Sequence, residues 1–281
     1  MKVGLNLLLW TATPAEEHVP LFRKISQWGF DGVELPMFDP AGSPWKALGA
    51  ALDGMGLGRT GVVVVPPEAS PSSPDASVRA AAADRLKRTV DAARIAGVET
   101  LAGPIGAPVG HLVGRGRTVD EWRWAVETIR SVARHAQEAG VRLSIEFLNR
   151  FETYFLNCAA DAARFVDEVG VPGFGVLYDT FHAHIEEKDP AAAIRAAGAR
   201  INHVHTSEND RSTPGEGQVR WAESFGALKR VGYDGWLVIE AFGQALPELA
   251  AATCIWRSMF PDVDYLATRG LRFVRDCWAR A

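Results

Sequence analysis

The chain is poor in cysteine and has no long hydrophobic run and no excess of positive charge. Its three cysteines, Cys158, Cys254 and Cys277, form no CxxC pair, which argues against a disulfide framework or a zinc knuckle and favours a reducing cytoplasmic compartment. No apolar run reaches the roughly 18–20 residues of a membrane helix. The apolar start, residues 1–10, is interrupted by Asn6 and is predicted to be a strand rather than a signal segment.

The composition is that of an ordinary globular protein, with 47% hydrophobic and 23% charged residues and a formal net charge of −4. Nucleic-acid-binding proteins usually carry a basic stripe, and this chain has none. A small polar substrate therefore suits the charge better than a polyanion, and we expect neither a nucleic-acid nor a membrane partner.

Strand-like and helix-like segments alternate along the whole chain. The predicted strands are Val3–Leu9, Gly32–Leu35, Thr60–Val65, Thr100–Ala102, Leu143–Glu146, Val176–Asp179, Asn202–His205 and Leu237–Glu240. The predicted helices begin after a Thr13-Pro14 cap and continue as Trp45–Met55, Ser77–Ala96, Thr118–Ala139, Ala159–Val169, Pro190–Ala197, Trp221–Val231, Pro247–Arg257 and Leu266–Ala279.

Eight strand–helix units without a composition break predict an α/β fold, a (β/α)₈ TIM barrel that forms a single domain over residues 1–281. The alternative is a doubly wound open sheet. That fold normally has a glycine-rich turn after its first strand, whereas this chain has Trp10-Thr11-Ala12-Thr13 there.

Four acidic or imidazole side chains end the last four predicted strands: Glu146, Asp179, His205 and Glu240. In a parallel barrel these ends share one rim, and strand alternation turns all four side chains inward. Three carboxylates and one imidazole make a divalent-metal site of mainly oxygen ligands. His203 lies one layer deeper and is expected to be a hydrogen-bonded interior histidine. Glu34 ends the second strand, where a structural ion pair and a substrate contact are equally plausible.

Several segments resemble the ketose 3-epimerases, the D-tagatose/D-allulose 3-epimerase group within the xylose-isomerase-like TIM barrels and the sugar phosphate isomerase/epimerase superfamily. The resemblance covers nearly the whole chain, and its NRFET and DTFHxxIEE stretches are specific to the group. The segments that carry it are Asn6–Thr11, Gly29–Pro36, Glu146–Thr153, Asp179–Glu187, His205–Arg211 and Ile239–Phe242.

The resemblance implies roles for particular residues. Glu146, Asp179, His205 and Glu240 match the metal ligands, and Glu146 and Glu240 also match the acid/base pair. Glu152, His182 and Arg211 match groups that hold the sugar near its carbonyl. The implied ion is Mn²⁺, with Co²⁺ or Mg²⁺ as substitutes, and the implied assembly is a homodimer or homotetramer. Phe147, Tyr178 and Ala241 depart from the family pattern next to the matched ligands.

The implied reaction inverts C3 of a ketose by removing and returning a proton through a cis-enediolate. An aldose–ketose or hydroxypyruvate-type isomerase, or an inosose dehydratase, would use nearly the same residues. A non-catalytic metal- or sugar-binding barrel is a further alternative. An endonuclease of this barrel class would need additional histidines, which the third and fourth strands do not supply.

Two further expectations concern the substrate pocket. Arg115 and Arg117 lie in a loop that follows the fourth strand, where they could reach a distal phosphate or simply be solvated. Aromatic or methionine residues near the rim are candidate pocket walls: Trp10, Met37, Phe151, Trp221 and Phe242.

Overall fold

The chain forms a closed barrel of eight parallel strands arranged in chain order, with the last strand paired to the first. The computed structural model describes residues 1–281. The strands are β1 (Lys2–Asn6), β2 (Gly32–Pro36), β3 (Gly58–Val62), β4 (Thr100–Gly103), β5 (Arg142–Glu146), β6 (Phe174–Asp179), β7 (Ile201–His205) and β8 (Trp236–Ile239). The predicted α/β (β/α)₈ fold class is confirmed, and the open-sheet alternative is wrong.

The helices surround the barrel, and the two longest end at Ala96 and Ala139 as predicted. Gly97 and Gly140 adopt left-handed conformations (φ of 72° and 73°) and close the two longest helices. Thr118 caps the second of these, accepting a hydrogen bond from the Glu121 backbone N–H. The helices are α1 (Val19–Trp28), α2 (Trp45–Asp53), α3 (Ala76–Ala96), α4 (Val119–Ala139), α5 (Ala159–Val169), α6 (Thr180–Glu186), α7 (Pro190–Ala197), α8 (Trp221–Arg230), α9 (Pro247–Ala252) and α10 (Val263–Arg280).

Several local predictions were wrong. The third strand ends at Val62 rather than Val65, and the predicted helix Pro247–Arg257 ends at Ala252. The first helix begins at Val19 rather than after Thr13-Pro14, because Thr13 belongs to a turn in which its N–H donates to Thr11 Oγ1. Pro20 occupies the first turn of α1 instead. Residues 7–9 form a 3₁₀ turn rather than the end of a strand. Helix α6, which starts immediately after Asp179, was not predicted.

Outward-facing strand side chains pack against the helices and form the main hydrophobic core. Ile145, Tyr178, Val204 and Ile239 each stand next to an inward-facing polar residue or ligand candidate, and all four belong to one cluster of 67 buried residues. The alternation predicted from the sequence therefore places the polar residues inside the barrel and the apolar ones between barrel and helices.

Trp236 fills the amino-terminal end of the barrel. Its side chain is 2% exposed, and a Cβ added at Gly58 or Gly32 would come within 2.8 Å of its ring. Its indole Nε1 donates to Glu99 Oε2 at 3.2 Å. The end of the barrel opposite the ligand candidates is thus closed by one aromatic ring over two glycines.

The structure also gives the state of the cysteines and the character of the helices. All three cysteines are free, as the spacing predicted. No helix is both long enough and apolar enough to cross a bilayer.

Candidate active site

The four predicted metal ligands lie at one rim of the barrel. Glu146, Asp179 and His205 are the last residues of β5, β6 and β7, and Glu240 directly follows β8. All four side chains are buried, Asp179 and His205 completely. The parallel register of β6 and β7 sets Asp179 directly beside His205. This is the rim at which barrel enzymes carry their chemistry.

The structure brings these side chains together in two overlapping groups. Ligand-type atoms of Asp179, His205 and Glu240 lie within 4.8 Å of one another, and so do those of Glu146, Asp179 and His182. Asp179 belongs to both groups. Glu146 lies on the Asp179 side of the site, with its Oε1 3.6 Å from His182 Nε2.

The donor set fits a divalent cation. His205 Nδ1 is buried without a hydrogen-bond partner and lies 3.4 Å from Glu240 Oε1, so its lone pair is free for an ion. Burial raises the pKa of Glu146 well above its usual value, and the neighbouring Glu240 and Asp179 charges raise it further. Such crowding of negative charge is what a bound cation offsets.

Arg211 is a buried cation between two of these carboxylates. Its Nη1 donates to Asp179 Oδ2 at 2.9 Å and to Glu240 Oε2 at 2.6 Å. Burial alone would lower the pKa of Arg211, but the Asp179 and Glu240 charges outweigh it and raise the pKa, so the guanidinium stays charged. Burial would likewise raise the pKa of Glu240, yet the neighbouring His205 ring and the charge of Arg211 lower it.

His182 is held as a neutral hydrogen-bond donor. Its Nδ1 accepts the backbone N–H of Asn149 at 3.0 Å, which leaves the proton on Nε2. Burial, with the charge of Arg211, lowers the pKa of His182 well below its usual value. Nε2 lies 3.1 Å from Arg211 Nη2, and because both nitrogens carry protons this contact is not a hydrogen bond. The two donors instead converge on a position suited to an oxygen acceptor.

Glu152 stands at the same end of the site. Its Oε1 accepts a hydrogen bond from Asn149 Nδ2 at 2.7 Å. Asn149 therefore fixes both Glu152 and His182, a positioning function that the sequence analysis did not assign. Its place inside the NRFET stretch was the available signal.

Glu34 lies completely buried inside the barrel, one layer below the rim. Its Oε1 accepts hydrogen bonds from Thr60 Oγ1 (2.9 Å) and His203 Nε2 (2.8 Å), and its Oε2 accepts one from Asn6 Nδ2 (2.8 Å). His205 Nε2 is a further 2.8 Å neighbour of Oε2, off the line of an ideal hydrogen bond. Of the two alternatives for Glu34, these contacts support a structural function over a substrate contact, with hydrogen bonds rather than an ion pair. His203 is the interior hydrogen-bonded histidine that was expected.

A cavity of about 290 Å³ opens above these groups. Its polar lining is confined to Glu146, Glu152, His182, Arg211, Glu240 and Thr253. The remaining walls are apolar: Leu8, Phe38, Val62, Val64, Val65, Pro66, Pro67, Pro104, Val109, Leu148, Phe242, Leu249 and Ala252. The cavity therefore has a charged, hydrogen-bonding end and an apolar remainder.

Of the five candidate wall residues, only Phe242 lines the cavity. Phe151 is instead 72% exposed, and Trp221 is turned away to donate its Nε1–H to Glu208. The two loop arginines do not line it either. Arg115 forms a bidentate pair with Glu121, and Arg117 pairs with Asp161. Their partners lie outside the cavity, so these contacts favour the alternative without a phosphate.

The departures from the family pattern beside Glu146 and Asp179 pack against each other. Phe147 and Tyr178 make an edge-to-face contact with ring centroids 5.8 Å apart, and both side chains are fully buried. Neither lines the cavity, and Ala241 is buried without lining it. These three residues therefore change packing around the site rather than its ligands.

Comparison with known proteins agrees with this geometry. Residues 22–260 match the family model described as xylose isomerase-like TIM barrel. The chain is 33% identical to an L-ribulose 3-epimerase of Mesorhizobium japonicum, over 97% of this chain and 93% of the relative. It is 30% identical to a ketose 3-epimerase of Arthrobacter globiformis, over 98% and 96% of the two chains.

Solved structures give the same result. An L-ribulose 3-epimerase structure superposes with a TM-score of 0.94 at 31% identity, covering 99% of this chain and 95% of the other. A D-psicose 3-epimerase from Clostridium cellulolyticum H10, solved with D-tagatose, gives 0.89 at 29% identity over 99% of both chains. This chain belongs to the ketose 3-epimerase family of xylose isomerase-like TIM barrels.

Proposed function

We propose that the protein is a metal-dependent epimerase that inverts the configuration at C3 of a free ketose. One observation carries this proposal: two buried carboxylates, Glu146 and Glu240, line the same cavity from strands that β6 and β7 separate. Inverting a carbon centre requires one group to take a proton from one face and another to return it to the other. Two carboxylates on different sides of one cavity meet that requirement.

The proposed ion is held by Glu146, Asp179, His205 and Glu240. Mn²⁺ is the metal that the family resemblance implies, with Co²⁺ or Mg²⁺ as substitutes, and a set of three carboxylates and one imidazole suits such an ion. When bound, the ion supplies Lewis-acid stabilisation for the negative charge that develops when the C3 proton leaves.

The remaining steps belong to the side chains. Glu146 and Glu240 act as the acid/base pair: one removes the C3 proton, and the other delivers a proton to the opposite face of the planar cis-enediolate. Arg211 and the Nε2–H of His182 donate to the oxygen next to the reacting carbon, and Glu152 accepts from a sugar hydroxyl. Acid/base assistance is typically worth about 10²–10⁴-fold per group, and fixed donors supply much of the rest.

The cavity supports an unphosphorylated substrate. Arg211 is the one cation in its lining, and this guanidinium is already paired with Asp179 and Glu240. A phosphate on the far end of the sugar would meet apolar walls, which leaves its charge without a partner. D-tagatose in a related structure is likewise a free sugar by name.

Deuterium incorporation tests this function. The Mn²⁺-loaded protein is incubated in D₂O with fructose, tagatose, ribulose, xylulose or erythrulose and with their terminal phosphates, and products are identified by NMR. We expect deuterium at C3 and the C3 epimer, with the free sugars turned over faster than the phosphates. An aldose product labelled at C1 or C2 would instead show an isomerase, and no exchange with any sugar would show a binding protein.

Two variants test the acid/base pair. Glu146→Gln and Glu240→Gln keep side-chain size but cannot transfer the proton, so each is expected to lower kcat by about 10²–10⁴-fold. Glu121→Gln is the matched control, since Glu121 is a buried glutamate outside the cavity. Near-wild-type turnover in either site variant would remove that glutamate from proton transfer.

Three other expectations stay predictions. We propose a homodimer or homotetramer in the reducing cytoplasm, from the resemblance and the cysteine pattern. We also propose that residues 1–281 act as one domain.

A further inference from the structure

Polar side chains inside the barrel surround the Glu34 carboxylate. A carboxylate offers about four lone-pair positions, and Glu34 has four polar neighbours within 2.9 Å: Thr60, His203, Asn6 and His205. All five side chains are fully or almost fully buried. The carboxylate is thus held from every side, with no water needed to satisfy it.

The contact with His205 determines which of its nitrogens carries the proton. Nε2 of His205 is 2.8 Å from Glu34 Oε2. Two lone pairs cannot approach so closely, so Nε2 carries the proton in the neutral ring, which leaves the lone pair on Nδ1. Neither nitrogen makes a hydrogen bond of good geometry, but Nε2 faces Glu34 whereas Nδ1 faces Glu240 at 3.4 Å. Glu34 therefore presents the ring nitrogen that a metal ion requires.

Glu34 also reaches Glu240 through Asn6. The Asn6 amide donates to Glu34 Oε2 at 2.8 Å and lies 3.3 Å from Glu240 Oε1. The Asn6 side-chain oxygen accepts the Leu8 backbone N–H, which fixes the amide's orientation. One buried carboxylate thus orients two of the four proposed ligands, one directly and one through an amide.

Glu34, His203 and His205 do not make a second metal site of their own. Their ligand-type atoms lie within 4.8 Å of one another, but the Glu34 oxygens already accept from Thr60 and Asn6. Both histidines turn a nitrogen toward this carboxylate at 2.8 Å, the usual separation of an N–H donor and its oxygen acceptor. The cluster serves hydrogen bonding.

We infer that Glu34 is the positioning residue of the metal centre, holding His205 in the Nε2–H form with Nδ1 directed at the ion and steadying Glu240 through Asn6. This inference rests on the proposed function, since it takes the Glu146, Asp179, His205 and Glu240 set to be the metal site. Carboxylates that orient ligating histidines typically change metal affinity by about 10–100-fold when removed.

The test replaces Glu34 by glutamine and measures two properties that do not depend on turnover. In the metal-free protein, ¹⁵N NMR of the histidine rings reports the tautomer. The amide introduced by Glu34→Gln turns N–H donors toward neighbours that now donate to the carboxylate, so we expect His205 to lose its fixed Nε2–H form. Calorimetric titration with MnCl₂ is expected to show affinity about 10–100-fold weaker than in the wild type.

Glu121→Gln is the matched control, because Glu121 is also a buried, hydrogen-bonded glutamate but lies outside the cavity. It should leave Mn²⁺ affinity and the His205 tautomer unchanged. If Glu34→Gln does not fold, Thr60→Val provides the test, since it removes one Glu34 donor and keeps the charge. It should weaken Mn²⁺ binding by a few-fold, in line with the net value of one hydrogen bond.

The outcomes separate the two proposals. If the wild type binds Mn²⁺ and the folded Glu34→Gln protein binds it within twofold, with the His205 tautomer unchanged, the positioning function is wrong while the metal site stands. Unchanged Mn²⁺ affinity in Thr60→Val overturns it in the same way. If the wild type does not bind Mn²⁺ at all, the proposed metal-dependent function itself fails.

Discussion

Buried glutamates outside the acid/base pair are stabilised by complete hydrogen bonding. A buried charge is costly unless each of its lone pairs meets a donor. Glu34 meets this condition inside the barrel through side chains, and Glu208 meets it in a loop through backbone N–H groups. Glu121 meets it at the start of α4 with Arg115, Tyr154 and the Thr118 N–H. At each of these positions a Glu→Gln change would therefore leave a hydrogen-bond donor without its acceptor.

Glu121 makes stability depend on pH. Burial would raise the pKa of Glu121, but its bonds to Arg115 and Thr118 outweigh burial and lower the pKa to about 2. In the unfolded chain the value is about 4.3. A lowered folded-state pKa means that the stabilisation is complete above the unfolded pKa and is lost as pH falls toward the folded one.

We therefore expect Glu121→Gln to lower the free energy of unfolding at pH 7 and to have progressively less effect between about pH 4.3 and pH 2. Urea titrations of both proteins over this range measure the difference. Asp84→Asn is a suitable control, because Asp84 is a 64% exposed partner of Arg88. A Glu121→Gln deficit of the same size at every pH would contradict the charge argument.

At the scale of elements, the sequence predicts well wherever the signal is local. The ends of the two longest helices at Ala96 and Ala139, each followed directly by a glycine, were placed correctly, and the predicted start at Thr118 is the N-cap of the second. The Thr13-Pro14 cap failed, since the helix begins at Val19 with Pro20 in its first turn and without a side-chain cap. Helix α6 was missed because its cap is Asp179 itself, which the pattern had already assigned to a strand end.

The loop between β7 and α8 carries Arg211 into the site and is organised by Glu208. Glu208 is fully buried and accepts hydrogen bonds from the Gly215 and Val219 N–H groups and from Trp221 Nε1. Arg211 itself adopts a left-handed conformation (φ 62°), which a loop must enforce in a residue other than glycine. No local pattern predicts this arrangement, since the partners of Glu208 are up to thirteen residues away.

Glu208→Gln is expected to loosen this loop without touching the metal ligands. The new amide group would face backbone donors with its own N–H bonds, leaving at least one buried group unsatisfied at a cost of about 1–3 kcal/mol. We expect kcat/KM for the ketose to fall about tenfold or more as Arg211 loses its position, and Mn²⁺ affinity to change with it, because Arg211 pairs with the proposed ligands Asp179 and Glu240. Kinetics and calorimetry on the same preparation measure both quantities.

Glu216→Gln is the matched control within the same loop, because Glu216 bonds to Tyr265 and Arg269 at the protein surface. It should leave both quantities near the wild-type values. Wild-type kcat/KM in Glu208→Gln, or equal losses in the two variants, would show that the buried carboxylate does not position Arg211.

At the scale of the whole molecule, the ligand candidates lie at one end of the barrel, and Trp236 closes the other end. The ends of β5–β8 that carry the ligand candidates were predictable because each ends an apolar run, and parallel strands end on one rim. The contents of the barrel below that rim were not predictable in the same way. The neighbours of Glu34 come from positions as far apart as Asn6 and His203, and only the closed ring brings them together.

The opposite end depends on Trp236 and on the glycines beneath it. A Cβ at Gly58 would lie 2.7 Å from Cζ2 and 2.8 Å from Cη2 of the indole, closer than real Cβ contacts, while the next neighbour, the Asp31 carbonyl oxygen, is 3.5 Å away. Gly58→Ala should therefore destabilise the fold by about 1–3 kcal/mol through overpacking. Because the ring lies far from the ligand rim, kcat at a temperature where the variant is folded should be unchanged.

A double-mutant cycle identifies the cause. Phenylalanine at position 236 lacks the two indole atoms that the new Cβ would meet. Trp236→Phe should therefore reduce the destabilisation caused by Gly58→Ala. The double variant should then be more stable than the sum of the two single changes predicts. Gly54→Ala is the control, since a Cβ there meets nothing closer than 3.5 Å. Thermal unfolding of the wild type and these variants measures the coupling. Strictly additive losses of stability would show that Gly58 is required for its backbone conformation rather than for space beside the tryptophan. A loss of kcat in folded Gly58→Ala would show that the two ends of the barrel are not independent.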